Sequence, residues 1–305
     1  MTILEQMIEN YSINTVDDKK NVIKEIMQEL TLAGLSKTDF FKNAAFYGGT
    51  ALRIFYGLNR FSEDLDFTLL TTDKDFTLDK YIPALKQVVE SLGLKFEITT
   101  KEKKIDSNIR SAFLKGNTKE QFLIFYLDSN QNNLISHNEK IKIKFEIDIN
   151  PPEFAITELK FRLLPFPYQV KVYDKPSLFA GKVHAVIARS WKTRVKGRDL
   201  YDYIFYLSSN TKINLKHLEA RLRQTNTIIE EERLTLKVLI NILNDRFDII
   251  DFNEAKKDVL PFINDIDTLD LWSAVFFKNI TKNLRGEWKS YELLSVCYNT
   301  IMIYK

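Results

Sequence analysis

Two aspartates two residues apart, Asp64 and Asp66, stand a short distance downstream of a glycine pair, Gly48-Gly49, that is followed at once by Thr50. In an extended strand residues i and i+2 share a face, so both carboxylates project together while Leu65 and Phe67 turn to the core. Paired carboxylates repel each other unless a cation lies near them. Mg²⁺, with Mn²⁺ as its substitute, is the hard ion that one or two carboxylates hold together with substrate phosphates. Two such ions would activate an attacking hydroxyl and stabilise a pyrophosphate leaving group. The glycines let the backbone approach an anion at a helix N-terminus, where amide hydrogens point outward. Thr50 either caps that helix or touches a phosphate oxygen. Arg60 and Ser62 precede the acids and are further phosphate candidates, whereas Arg53 reads as an exposed helix residue. Alone, a D-x-D is often a solvated strand face and a G-G-T often a turn; the combination points to nucleotide chemistry.

These residues need a strand for the acids and a helix behind the glycines. Phe46-Tyr47 ends a short apolar run at the glycine turn, and Thr50–Tyr56 fits a short helix closed by Gly57. Leu65–Leu70 is a β-type run. A helix is expected upstream over Ile8–Leu35 and another over Lys80–Leu92, stopped by Gly93. Four β-rich stretches follow, Leu94–Thr100, Gln121–Asp128, Ile141–Asn150 and Gln169–Tyr173. The third alternates strictly, with Lys142, Lys144, Glu146 and Asp148 on its polar face. From about residue 175 helical periodicity dominates, in segments near 178–192, 199–208, 214–223, 228–245, 253–262, 269–281 and 288–303. The expected organisation is an α/β lobe over residues 1–175 and a helical lobe over 176–305.

Composition sets the class. The 305 residues are 45% hydrophobic and 28% charged, which describes a globular chain and excludes a disordered one. A formal charge of +3 permits a polyanionic partner without requiring it. The lone Cys297, in an apolar stretch, allows no intramolecular disulfide and reads as a packed thiol. The segment Met1–Lys20 lacks a secretory signal pattern, and no run approaches the roughly 18 apolar residues of a membrane span. A cytoplasmic protein with no membrane partner is the expectation.

The block Gly48-Gly49-Thr50-Ala51-Leu52, Gly57, Arg60, Ser62, Asp64 and Asp66 resembles the signature of the AbiEii-type nucleotidyltransferases, which include the MenT toxins. Downstream, Lys182 opens a helix that runs through Arg189. It is followed by Lys196-Gly197-Arg198-Asp199-Leu200-Tyr201-Asp202, which is similar to the family's helix lysine and R-D-x-x-D segment. The match spans about residues 45–210. The resemblance implies a polymerase-β-like nucleotidyltransferase core, a mixed sheet with flanking helices, followed by a helical C-terminal lobe that brings Lys182 and Asp199 to the cleft. It further implies the toxin half of a toxin–antitoxin or abortive-infection pair, acting in phage defence. The antitoxin of such a pair is often a winged-helix DNA-binding protein. Some members bind NTPs and add nucleotides to the tRNA 3′ end.

Within that frame Asp64, Asp66 and Asp148 are the expected metal ligands, with Glu146 as the rival for the third place. Asp148, if nearest the acceptor hydroxyl, would also take its proton. Gly48, Gly49, Thr50, Arg60, Ser62, Lys182 and Asp202 are the expected nucleotide contacts, and Lys182 in its apolar helix would offset triphosphate charge. Asp199 completes the catalytic set or orients Lys182 or Arg198. The cations Lys192, Arg194, Lys196 and Arg198 form either a solvated loop or a contact for the RNA backbone. Tyr201 and Tyr203 stack on a base or belong to the core, while His137, His184 and His217 carry no ligand spacing.

The function expected is Mg²⁺-dependent NMP transfer from an NTP to RNA, at the tRNA 3′ end, with release of pyrophosphate. The competing readings keep the chemistry but use a protein or small-molecule hydroxyl, or make the chain a non-catalytic NTP-binding module.

Overall fold

The computed structural model describes residues 2–100, 118–126, 140–189, 195–228, 233–263 and 265–288. Cys297, His137, Lys192, Arg194 and the helix expected near 288–303 lie outside them. The chain divides into two compact units. The first comprises Met1–Pro151, Thr157–Asp174 and Val259–Ile266; the second comprises Pro152–Ile156, Lys175–Asp258 and Asp267–Lys305.

The first unit begins with α1 (Ile3–Glu9) and α2 (Val16–Ser36), where one helix from Ile8 to Leu35 is expected. The break has a local cause. Thr15 and Asp18 form a capping box, each side chain receiving the other's backbone N–H, and this starts a new helix. A short α3 (Phe40–Asn43), β1 (Ala44–Tyr47), α4 (Gly48–Tyr56), β2 (Leu65–Leu69) and α5 (Ile82–Ser91) follow. Then come β3 (Lys95–Thr100), β4 (Thr118–Tyr126), β5 (Lys140–Asp148), β6 (Thr157–Arg162) and β7 (Tyr168–Tyr173). These strands form one mixed seven-stranded sheet in the order β3-β4-β5-β2-β1-β7-β6. The antiparallel β1–β2 pair lies between two parallel pairings, β2 with β5 and β1 with β7.

Alternation explains the strands that carry the acids. Leu65 and Phe67 of β2 and Ile141, Ile143, Phe145 and Ile147 of β5 are buried, leaving the intervening polar residues on the other face. Beneath them the rings of Phe67 and Phe145 stack at 4.6 Å, and Phe40 meets Phe67 edge-on at 5.0 Å. The acid-bearing strands thus rest on a close-packed aromatic floor.

β6 is a strand that alternation alone does not predict. Its apolar Leu159 and Phe161 point to solvent while Glu158, Lys160 and Arg162 point inward, the reverse of the usual pattern. The inward charges are matched: Arg162 reaches both oxygens of the buried Glu29, at 2.9 and 2.8 Å. A second buried pair joins Glu25 to Arg53 at 3.0 Å, so Arg53 is not the exposed helix residue expected.

The second unit is mostly helical: α6 (Lys175–Ala188), α7 (Gly197–Ser208), α8 (Leu215–Gln224), α9 (Leu236–Phe247), α10 (Phe252–Val259) and α11 (Ala274–Thr281). Two short parallel strands, β8 (Lys212–Asn214) and β9 (Arg285–Glu287), join it. Helix α6 starts at Lys175, so Lys182 lies in its middle and does not open it. Gly197 allows α7 to meet α10, because a Cβ there would lie 1.7 Å from the Ala255 carbonyl oxygen. Phe179 stacks on Tyr206 at 4.5 Å, and Tyr203, fully buried, shares a hydrogen bond with Thr281 at 2.8 Å. Tyr203 is therefore a core residue and presents no face for a base. Among the described residues no helix is long and apolar enough to cross a membrane.

His217 ties this unit together. Its Nδ1 donates to the Glu153 carbonyl at 2.7 Å, and its backbone N–H donates to Asn214 Oδ1 at 3.0 Å. Burial, aided by the nearby Arg221 charge, pushes its imidazole down to about 3. The native ring is neutral, while the unfolded ring takes a proton below about pH 6.5. Its contribution to stability is therefore complete above that pH and is lost as pH falls toward 3. Urea unfolding at pH 7 and pH 5 should show the wild type losing about 2 kcal/mol more than His217→Gln. Equal losses would contradict this role.

Candidate active site

The site in the first unit is assembled where β1 ends, α4 begins and β2 returns beside β1. Tyr47 is opposite Asp66 in the β1–β2 register, so the residue after Tyr47 must pass directly over the Asp66 carboxylate. That residue is Gly48, in the left-handed region at φ 84°. A Cβ on it would lie 2.2 Å from Asp66 Oδ2. The glycine is therefore required twice, by its backbone angle and by the carboxylate against it. A Cβ on Gly49 would lie 2.9 Å from Ser62 Oγ and 3.0 Å from an Arg60 guanidinium nitrogen. The first turn of α4 thus has the acid beside one glycine and a cation with a hydroxyl beside the next.

The 60–64 loop is held from several sides. Arg60 is buried and donates to the Phe61 carbonyl at 2.8 Å. Gln28 of α2 donates to the Ser62 carbonyl at 3.0 Å, and Lys24 pairs with Glu63 at 2.9 Å. Thr50 is fully buried and its hydroxyl donates to the Asp64 carbonyl. It does not cap α4; it fixes the start of the acid-bearing strand to the glycine helix. Gly57, at φ 76°, closes that helix.

The parallel β2–β5 register decides which third acid stands nearest. Asp66 pairs with Glu146, and Thr68 with Asp148. Partners in adjacent strands lie side by side on one face, so Glu146 is the direct neighbour of Asp66. Asp148 is two residues further along, roughly 6–7 Å away along the strand. Lys144, on the same face, bonds the Glu146 carboxylate. Asp148 Oδ1 accepts the Asn150 N–H at 3.0 Å, the mark of a turn-forming aspartate at a strand end. Among the described residues no group of three or more acids, imidazoles or thiolates is placed to hold a metal ion. The donor set nevertheless suits a hard cation that takes few protein oxygens and completes its shell from phosphate and water.

In the second unit the residues of the downstream motif form a buried charge cluster. The Lys182 ammonium lies 2.7 Å from Asp199 Oδ1 and 2.8 Å from Asp202 Oδ2. Arg189 Nε lies 2.9 Å from Asp199 Oδ2, a charge contact without aligned hydrogen-bond geometry. Burial raises the Asp199 carboxyl, but Lys182 and Arg189 outweigh it and hold the group at about 2. Of the basic run, Arg198 lies 3.6 Å from Asp258 and is an ion-paired residue. His184 is pushed down to about 3 by burial and bonds Thr225 at 3.1 Å.

Removing one member of such a cluster leaves uncompensated buried charge. Lys182→Met, which strands two carboxylates, should therefore cost about 3–5 kcal/mol of unfolding free energy. Arg189→Ala, at a half-exposed position, should cost no more than about 1 kcal/mol. Denaturant titration of both variants tests this, and a small loss for Lys182→Met would refute it.

Over residues 30–276 the chain matches the family described as "Nucleotidyl transferase AbiEii toxin, Type IV TA system". No curated protein matches it. The crystal structure of JHP933 from Helicobacter pylori is similar at 20% identity and a TM-score of 0.49, over 93% of this chain and 98% of that one. A candidate nucleotidyltransferase from H. pylori is similar at 20% identity and a TM-score of 0.49, over 87% and 96%. The family match covers most of the chain, including both motif blocks: this protein belongs to the AbiEii nucleotidyltransferase toxins of type IV toxin–antitoxin systems.

Proposed function

We propose that this nucleotidyltransferase moves an NMP from an NTP to RNA, at the 3′ end of tRNA, and thereby blocks growth or phage propagation. The observation that carries the nucleotide part is the contact between Gly48 and the Asp66 carboxylate at the head of α4. It brings the first amides of α4 close to a carboxylate, the combination that would suit a metal-bound triphosphate. An acceptor hydroxyl oxygen bonds to the α-phosphorus, the bond from that phosphorus to the bridging oxygen breaks, and pyrophosphate leaves.

In this reading Asp64 and Asp66 hold Mg²⁺, and Glu146 is the third acid in place of Asp148, because it is the register neighbour of Asp66. The ion, when bound, offsets charge on the phosphates and lowers the pKa of the attacking hydroxyl. Gly48 and Gly49 offer backbone amides to the phosphates, with Arg60 and Ser62 alongside. Thr50 acts as a positioning residue. Lys182 keeps the triphosphate role implied by the resemblance, with Asp199 and Asp202 as the carboxylates that position it. A cognate antitoxin follows from the family; a winged-helix DNA-binding form of it is part of this proposal.

Purified protein with Mg²⁺ and each α-labelled NTP should label deacylated tRNA. Asp64→Asn and Asp66→Asn should each reduce labelling by more than the roughly 100-fold usual for outer-shell metal partners. Glu146→Gln should fall as far, while Asp148→Asn should stay within about tenfold of wild type. Labelling of a protein or small molecule but no RNA would overturn the acceptor. Toxicity that survives Asp66→Asn would favour a non-catalytic NTP-binding module.

A further inference from the structure

The acid-bearing face of the sheet also holds a cation. The β2–β5 register pairs Leu65 with Phe145 and Asp66 with Glu146. Continued one residue toward the strand starts, it sets Lys144 beside Asp64, just ahead of β2. Asp64, Asp66, Lys144 and Glu146 therefore stand at the corners of one rectangle, roughly 4.8 Å across the strands and 6–7 Å along them. A lysine side chain spans that rectangle. Here its ammonium is turned to Glu146, whose carboxylate accepts a hydrogen bond from Lys144 Nζ. The two side chains are 27% and 24% exposed, so the pair is set into the face.

This pair differs from the other ion pairs of its unit. Arg162–Glu29 and Arg53–Glu25 each join two elements of the fold. Lys144 and Glu146 are two residues apart on one strand, and their contact joins none. A partly exposed pair of this kind adds little stability. What it does is set a condition on the acids. An ammonium on a carboxylate occupies its lone pairs and repels a second cation. Glu146 can therefore reach an ion beside Asp66 only when Lys144 leaves it. A lysine so released stands beside Asp64 and Asp66, within reach of phosphates that share their ion, where its charge offsets that of the triphosphate.

We propose that Lys144 is an internal cation that holds Glu146 until metal and nucleotide arrive and then passes to the triphosphate. Ion and nucleotide binding are thereby coupled, because the ion frees the lysine that the nucleotide uses. The proposal rests on the assignment of Asp64, Asp66 and Glu146 to a cation made above.

The test is Mn²⁺ titration of the full-length protein, followed by electron paramagnetic resonance, without nucleotide and with a non-hydrolysable NTP analogue. Without nucleotide, Lys144→Met should bind Mn²⁺ about fivefold or more tightly than wild type, the scale of one partly exposed ion pair. That gain should disappear in a Glu146→Gln background. At saturating Mn²⁺ the affinity for the analogue, measured by calorimetry, should fall about fivefold or more in Lys144→Met and be retained in Lys144→Arg. Lys144→Gln provides a second neutral variant, and circular dichroism checks the fold of each. Equal Mn²⁺ affinity of wild type and Lys144→Met, or a gain that persists beside Glu146→Gln, would overturn the proposal and leave the cation site standing. Analogue binding indifferent to Lys144 would do the same. Mn²⁺ binding that Asp66→Asn leaves unchanged would instead overturn the cation site itself, and this proposal with it.

Discussion

The Asp66 carboxylate occupies the space that a side chain at position 48 would need. This single steric exclusion links the parts of the site. It requires glycine where β1 turns into α4, and the same turn aims the first amides of α4 outward beside the acid. The β1–β2 register that creates the contact is in turn held by the Phe46–Phe67 ring contact beneath and by the Thr50–Asp64 hydrogen bond beside it. Shifting β2 by one residue would turn Asp66 into that aromatic floor. Core packing and acid placement are therefore one constraint.

Buried charge does the remaining positioning, and each unit has its own cluster. In the first unit Glu25 and Glu29 of α2 engage Arg53 of α4 and Arg162 of β6, so the glycine helix and the sheet edge are both fixed to one helix. In the second, Lys182 has two carboxylates around it and Asp199 two cations. Buried pairs of this kind add little net stability compared with apolar packing, but removing one partner is costly. Such clusters fix orientation. Loss of activity in a Lys182 variant therefore has to be separated from loss of fold.

Much of this was legible in the residues because it rests on short-range rules. Gly48, Asp64 and Asp66 declare themselves by spacing, and β5 by its strict alternation. What escaped depends on partners distant in sequence. Glu146 and Asp148 both lie on the polar face of β5, and only the pairing of β5 with β2 ranks Glu146 as the neighbour of Asp66. Thr50 reads in the sequence as a helix cap or a phosphate contact, and its hydrogen bond to the Asp64 carbonyl, fourteen residues away, is visible only in the fold. β6 was missed because periodicity assumes that apolar residues face the core, and there Arg162 and Glu158 face inward with partners from α2 and α4. The helix break at Asn10–Thr15 had a readable signal, the Thr15–Asp18 capping box, which the apolar periodicity overrode.

The close approach of Gly48 and the Asp66 carboxylate is what the proposed cation site depends on. Mn²⁺ binding followed by electron paramagnetic resonance, in the presence of a non-hydrolysable NTP analogue, tests it on wild type and Gly48→Ala. With the fold verified by circular dichroism, the substitution should weaken Mn²⁺ binding by about 100-fold, because the new methyl group displaces the Asp66 carboxylate. Binding of Mn²⁺ by folded Gly48→Ala with wild-type affinity would contradict it.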